Sequence, residues 1–188
     1  GGVLALNGKR VSVRGDWATV PTVDGGRSVF EVETLSLSGE SVSEDVSALV
    51  SGSQPWVSIM CKFSDYATEP KNLAYFQGMY GASSPGLDHY WREVSYNTAN
   101  VVGSTAVGWY ILPQPRSYYV YGGQLNFDRA ANDCTAVADP YVNFANVVGI
   151  NLMFNADLDG YAWGGSHYMT LDGVTKLWRM TWEPPWGY

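Results

Sequence analysis

WVSIMCKF, residues 56–63, is apolar at nearly every position. A half-exposed strand alternates apolar and polar side chains, whereas a strand covered on both faces does not need to. This segment therefore reads as a central strand, with Val57, Ile59, Cys61 and Phe63 on one face. VVGINLMFN (147–155) has the same character. Two such strands need layers on both sides, and the stretches between and around them should supply those layers.

Working outward, helical spacing appears on both sides of a glycine-rich break. In SDYATEPKNLAYFQGMYG (64–81), Thr68 is the expected cap, Pro70 sits in the first turn, and Leu73, Phe76 and Tyr80 recur at helical spacing. In SSPGLDHYWREVSYN (83–97), Ser84 is the expected cap, Pro85 takes the first helical position, and Leu87, Tyr90, Trp91 and Val94 form one stripe. GASSPG (81–86) between them reads as a helix cap rather than a phosphate loop. NVVGSTAVGWYILP (100–113) and RSYYVYGG (116–123) read as strands. FDRAANDCTAVADP (127–140) reads as a helix with Ala131, Cys134 and Ala138 on one face, ended by Pro140. GGSHYMTLDG (164–173) and TKLWRMTW (175–182) read as strands around a DG turn. The order strand, helices, strands, helix, strands predicts an α/β domain: a mixed twisted sheet with flanking helices.

The N-terminal region differs. KRVSVRG (9–15) and SVFEVETLSL (28–37) alternate around VDGG (23–26), which predicts a small antiparallel β unit over residues 1–40. Residues 38–55 are rich in Ser and Gly and are acidic. The linker is placed at 41–55, ahead of a main domain over 56–188.

Composition narrows the function. Hydrophobic residues make up 46% and charged residues 15%, enough apolar material for a real core. The net charge is −7, the pI is about 4.6, and no Lys/Arg cluster stands out, which argues against nucleic-acid binding. No apolar run approaches the roughly 20 residues of a membrane helix. High aromatic and Gly content with little Lys suits a secreted protein. Cys61 reads first as a buried thiol, with a Cys61–Cys134 disulfide as the alternative.

Internal motifs are sparse. His89 and His167 each stand alone, and neither HExxH nor CxxC occurs. NADLDG (155–160) copies the first half of a calcium loop through Asn155, Asp157, Asp159 and Gly160. Ser166 stands where such a loop carries its bidentate Glu, so a plain acidic turn is the first reading and a weak calcium site the second. Asp88, Glu93, Asp128, Asp133, Asp139 and Glu183 offer no pair that sequence spacing alone can single out for glycoside hydrolysis. Trp178 and Trp182 share a strand face with Met180 and read as core. A sugar-stacking platform from Trp163, Trp178, Trp182 and Trp186 is the alternative.

Several stretches together resemble the M6/M11-like metallopeptidases, the immune inhibitor A and gametolysin relatives. MCKFSDYATEP (60–70) is similar to their first core strand. LDHYWREVSYNTANVVGSTAVGWYILP (87–113) is similar to their Tyr-(Tyr/Trp)-x-Glu-Val-Ser-Tyr helix, running into a strand that ends Gly-Trp-Tyr-x-Leu-Pro. GINLMFNADLDGYAWGGSHYMTLDG (149–173) and LWRMTW (177–182) are similar to the strands before the active-site helix. The match spans about 56–188, and residues 1–40 resemble a small β pro-region.

The resemblance implies a zincin-like fold, incomplete here, and a secreted zinc-dependent endopeptidase acting on peptide or protein substrates. In that family three His hold zinc on an HExxHxxGxxH helix, and the motif Glu activates the zinc-bound water. Neither His89 nor His167 matches those positions. The chain is therefore expected to be the N-terminal part of such an enzyme, to stop before that helix, and to be inactive by itself. The family also pairs substrate along an edge strand, expected here at Trp163, Gly164, Gly165, Ser166, His167 and Tyr168, or at 177–182. Gly164 and Gly165 would let a peptide backbone approach. The bland alternative is an internal hairpin bulged at the glycines.

A different class of function stays open. A complete aromatic-rich carbohydrate-binding or adhesion module would explain the tryptophans and the acidity, although its helical stretches are unusual for such a module. A glycosidase has no positive motif. A chain lacking the central zincin helix should leave one sheet face uncovered, whereas a complete module should not. Oligomeric state is left open.

Overall fold

The computed structural model describes residues 11–22, 25–37 and 50–188. The chain forms two compact units, Gly1–Val50 and Ser51–Tyr188. In the first, β1 (Val11–Thr22) and β2 (Gly25–Leu37) form an antiparallel hairpin with a register shift at Arg14/Gly15. Trp17 lies opposite Phe30 and the rings meet edge to face at 5.2 Å, yet both are exposed. Val23 and Asp24 of the expected VDGG turn, residues 38–40 of the expected β unit and residues 41–49 of the expected linker lie outside the described residues.

The second unit begins with β3 (Gly52–Ser53) and β4 (Trp56–Lys62), followed by α1 (Leu73–Gly78), α2 (Leu87–Val94), β5 (Ala99–Asn100) and β6 (Thr105–Ile111). Next come α3 (Arg116–Tyr119), β7 (Val120–Tyr121), β8 (Gln124–Leu125) and α4 (Phe127–Ala138). The strands β9 (Gly149–Phe154), β10 (Trp163–Leu171) and β11 (Val174–Glu183) close the chain. Five strands make one mixed sheet in the order β10-β11-β9-β4-β6. All neighbours are parallel except the β10–β11 hairpin. Asp172 and Gly173 both take positive φ at its tip, the backbone that a two-residue DG turn requires.

The first sheet face carries Val57, Ile59 and Cys61, then Ile150, Leu152 and Phe154, then Trp178, Met180 and Trp182. They pack against Ala130, Ala131, Cys134 and Ala138 of α4. The expected core stripe of Trp178, Met180 and Trp182 is buried as read. A Cys61–Cys134 disulfide joins β4 to α4 across 73 residues, correcting the first reading of Cys61 as a free thiol. The two half-cystines sit on the faces that the strand and helix periodicities bury, and the fold superposes those faces.

The second face is covered in part. Met60, Ala106 and Met153 pack under Phe76 of α1, joined by Tyr188, whose hydroxyl donates to the Phe154 carbonyl at 2.7 Å. Over β10 and β11 this face is open: the ladder partners Tyr168 and Leu177 are 67% and 61% exposed. Close approach calls for glycine at two sheet positions: a Cβ at Gly149 would lie 2.5 Å from the Trp56 ring, and one at Gly108 2.6 Å from the Met60 carbonyl oxygen.

Four local expectations change. The first helix starts at Leu73 with Asn72 as cap, because the chain through Thr68 is held by Asn155. The second starts at Leu87 after Gly86, not at Pro85, because residues 81 and 86 come into backbone contact and only glycine fits there. Its apolar stripe is not its buried face: Tyr90, Trp91 and Val94 are exposed, while Asp88 is buried. RSYYVYGG forms the short α3 and then β7, because buried Tyr119 reaches in to donate to Asp133 at 2.7 Å.

Asp88 docks α2. It accepts from Arg92 Nε at 2.7 Å and from the Val101 amide at 2.9 Å, and the Arg92 bond holds its carboxyl below the usual range. Its contribution is therefore complete above the ordinary carboxylate pKa and is lost as pH falls through the lowered folded value. Asp88→Ala should cost about 2 kcal/mol at neutral pH by leaving the Val101 amide unpaired. Urea unfolding should show that penalty shrinking in acid.

Candidate functional site

β10 is an outer strand of the main sheet. It pairs with β11 on one side, and no strand among the described residues pairs with the other. The ladder is continuous from Trp163–Trp182 to Leu171–Val174, with no bulge at the glycines. An added Cβ would meet nothing within 4 Å at Gly164 and only the Trp182 ring, at 4.0 Å, at Gly165. Trp163, Gly164, Gly165, Ser166 and Tyr168 are exposed and His167 is half-buried. The expected stretch 163–168 is thus an accessible edge. The alternative stretch 177–182 is not, because β11 lies between β10 and β9.

The acidic turn fixes the start of that edge. Asn155 is buried; its Oδ1 accepts from the Phe63 amide at 3.0 Å, and its Nδ2 donates to the Tyr66 and Thr68 carbonyls at 2.9 Å each. Asp157 accepts from the Gly160 amide and from Trp186 Nε1, both at 3.1 Å. Asp159 accepts from the Tyr161 amide and from Trp163 Nε1 at 3.1 Å, and from the Leu125 amide at 3.2 Å. These oxygens face N–H donors, as in a hydrogen-bonded turn. The turn orients two exposed indoles, Trp163 and Trp186, and the exposed Tyr161 ring lies 5.5 Å from that of Trp163.

The two histidines lie on different elements. His89 Nδ1 is 3.9 Å from Glu93 Oε2 on α2. His167 projects from β10 towards α4, with Nδ1 3.2 Å from Asp128 Oδ1 and Nε2 3.4 Å from Asn132 Oδ1. Among the described residues no group of three His, Cys, Asp or Glu side chains could hold a metal ion. The candidate carboxylates are dispersed: Asp88 serves Arg92, Asp133 serves Tyr119, and Asp128 serves His167.

No known protein family, curated protein or solved structure matches this chain. The site therefore rests on its own geometry.

One arrangement on the second face was not readable from sequence. Tyr80 Oη meets Ser58 Oγ at 2.7 Å and receives Asn151 Nδ2 at 3.0 Å, while Thr181 donates to Asn151 Oδ1 at 3.1 Å. Burial raises the Tyr80 phenol above its usual range. Beside this chain, Trp56, Tyr80, Leu87, Trp91 and Val101 line a hollow of about 220 Å³. Only strand parity hinted at it, since the four polar groups come from separate elements.

Glu183 ends β11 on the same face. Burial pushes its carboxyl up, partly offset by the Thr181 hydroxyl. A raised folded value means that the charged form opposes folding, so stability is lost as pH rises from the ordinary Glu range through that value. Glu183→Gln should raise Tm at pH 7 by on the order of a few degrees, with a smaller gain at pH 4. Equal gains at both pH values would contradict this assignment.

Proposed function

We propose that this chain forms the substrate-edge part of a secreted zinc-dependent endopeptidase of the M6/M11-like type. The observation that carries the reading is β10: an accessible antiparallel edge, glycine at two successive positions, in the stretch that the family resemblance marks for substrate pairing. An extended peptide added there would bond to the unpaired main-chain groups of β10. The open second face over β10 and β11 supports the reading, since it is where a further helix would find apolar partners such as Leu177. The Cys61–Cys134 disulfide suits an oxidising compartment.

The residues present do not fit zinc, because His89 and His167 lie on separate elements and, among the described residues, no group of three His, Cys, Asp or Glu side chains could hold a metal ion. The zinc ligands would belong to residues outside 1–188, and no hydrolytic step is assigned to this chain. The coding sequence after Tyr188 tests the proposal. An open frame reaching a His-Glu-x-x-His helix within about 20 residues is expected, and the extended product should bind zinc and cleave casein. A stop codon directly after Tyr188 would remove the enzyme reading.

A second reading is favoured by one feature, the exposed indoles of Trp163 and Trp186, held by Asp159 and Asp157. Exposed indoles fixed in this way suit stacking on sugar rings in a binding or adhesion module. Retention on immobilised polysaccharide, lost in Trp163→Ala, would support it.

A further inference from the structure

A groove of about 320 Å³ runs between β10 and α4, lined by Asn132, Thr135, Ala136, Asp139, Met169 and Leu171. One stripe of α4 follows the strand. Asp128 and Asn132 meet His167, and the Thr135 hydroxyl points at Met169 Sδ at 3.8 Å. Asp139 ends the stripe beside Leu171. The Asp128 side chain is 77% exposed. Lys176, the ladder partner of Met169, stacks its ammonium over the Trp178 ring at 3.8 Å.

We propose that this groove is a side-chain subsite that selects lysine or arginine in an extended peptide paired on β10. The inference rests on the edge-strand reading of the proposed function. A peptide added to β10 turns every second side chain towards α4. From Asp128 to Asp139 the helix rises about 16 Å, and side chains four residues apart on one strand face are separated by about 13 Å, a difference that the long stems of two basic side chains span to reach both carboxylates. The net charge of −7 draws such peptides to the surface, and the two aspartates give them a place in register.

The test uses the 188-residue chain and three fluorescein-labelled peptides, (Val-Lys)3-Val, (Val-Gln)3-Val and (Val-Glu)3-Val, read by anisotropy in about 150 mM salt. The Lys peptide should bind about fivefold tighter than the Gln peptide, and the Glu peptide weakest. Asp128→Asn and Asp139→Asn should each reduce that preference. Glu93→Gln, the same charge change on α2, should leave it intact. Equal binding of the Lys and Gln peptides, or an equal loss in Glu93→Gln, overturns the subsite and leaves strand pairing standing. The Lys peptide N-methylated at alternate residues separates the two claims. If N-methylation does not weaken binding, or if no peptide binds, the edge reading falls and the subsite falls with it.

Discussion

Replacing both Cys61 and Cys134 with alanine is expected to lower stability by about 4 kcal/mol. The disulfide closes a loop of 73 residues, and the chain-entropy relation for a loop of that length predicts this amount from the unfolded state alone. The bond joins the C-terminal end of β4 to α4, and both cysteines are buried. Domains of this kind are stable by only about 5–15 kcal/mol, so the loss is a large share of the total. Guanidinium unfolding of the double variant should match that of the reduced wild-type chain and fall well below the oxidised one. If the oxidised and reduced wild-type chains unfold together, the pairing of these two cysteines is wrong.

Asn155→Asp is the second large effect, expected to cost about 3–5 kcal/mol. The native amide donates to two carbonyls, Tyr66 and Thr68, and accepts from the Phe63 amide. An aspartate keeps the acceptor but loses both donors, and it places a carboxylate against two carbonyl oxygens in a buried site. The calcium reading of NADLDG forecasts the reverse, since Asp is a good calcium ligand. Thermal unfolding with and without millimolar calcium decides between them. A large, calcium-independent drop in Tm supports the bracket. A variant as stable as wild type, or rescued by calcium, would overturn it. The bracket also reaches the candidate site, because the same turn goes on to hold the Trp163 indole through Asp159.

What was legible in the sequence was local. WVSIMCKF and VVGINLMFN announced two-sided strands, and the alanine face of α4 and the stripe of Trp178, Met180 and Trp182 announced what covers them. These readings depend only on side-chain period, which the backbone imposes within a few residues. The DG turn was legible for the same reason, since two positive φ angles need residues of that type. Helix starts failed where distant groups took over the local chemistry: Asn155 holds the chain at Thr68, and Gly86 meets Gly81.

By itself, then, the sequence determined the α/β class, the run of core strands and helices, and an acidic chain poor in chemical motifs. Tertiary structure alone decided that Cys61 meets Cys134 and that Asp88, not the aromatic stripe, docks α2. It also decided that β11 inserts between β9 and β10, leaving 163–171 as the edge and 177–182 inside. Each of these joins residues far apart along the chain. Their cost is loop closure, and their gain appears only when the whole sheet is assembled, so neither is written in any short stretch.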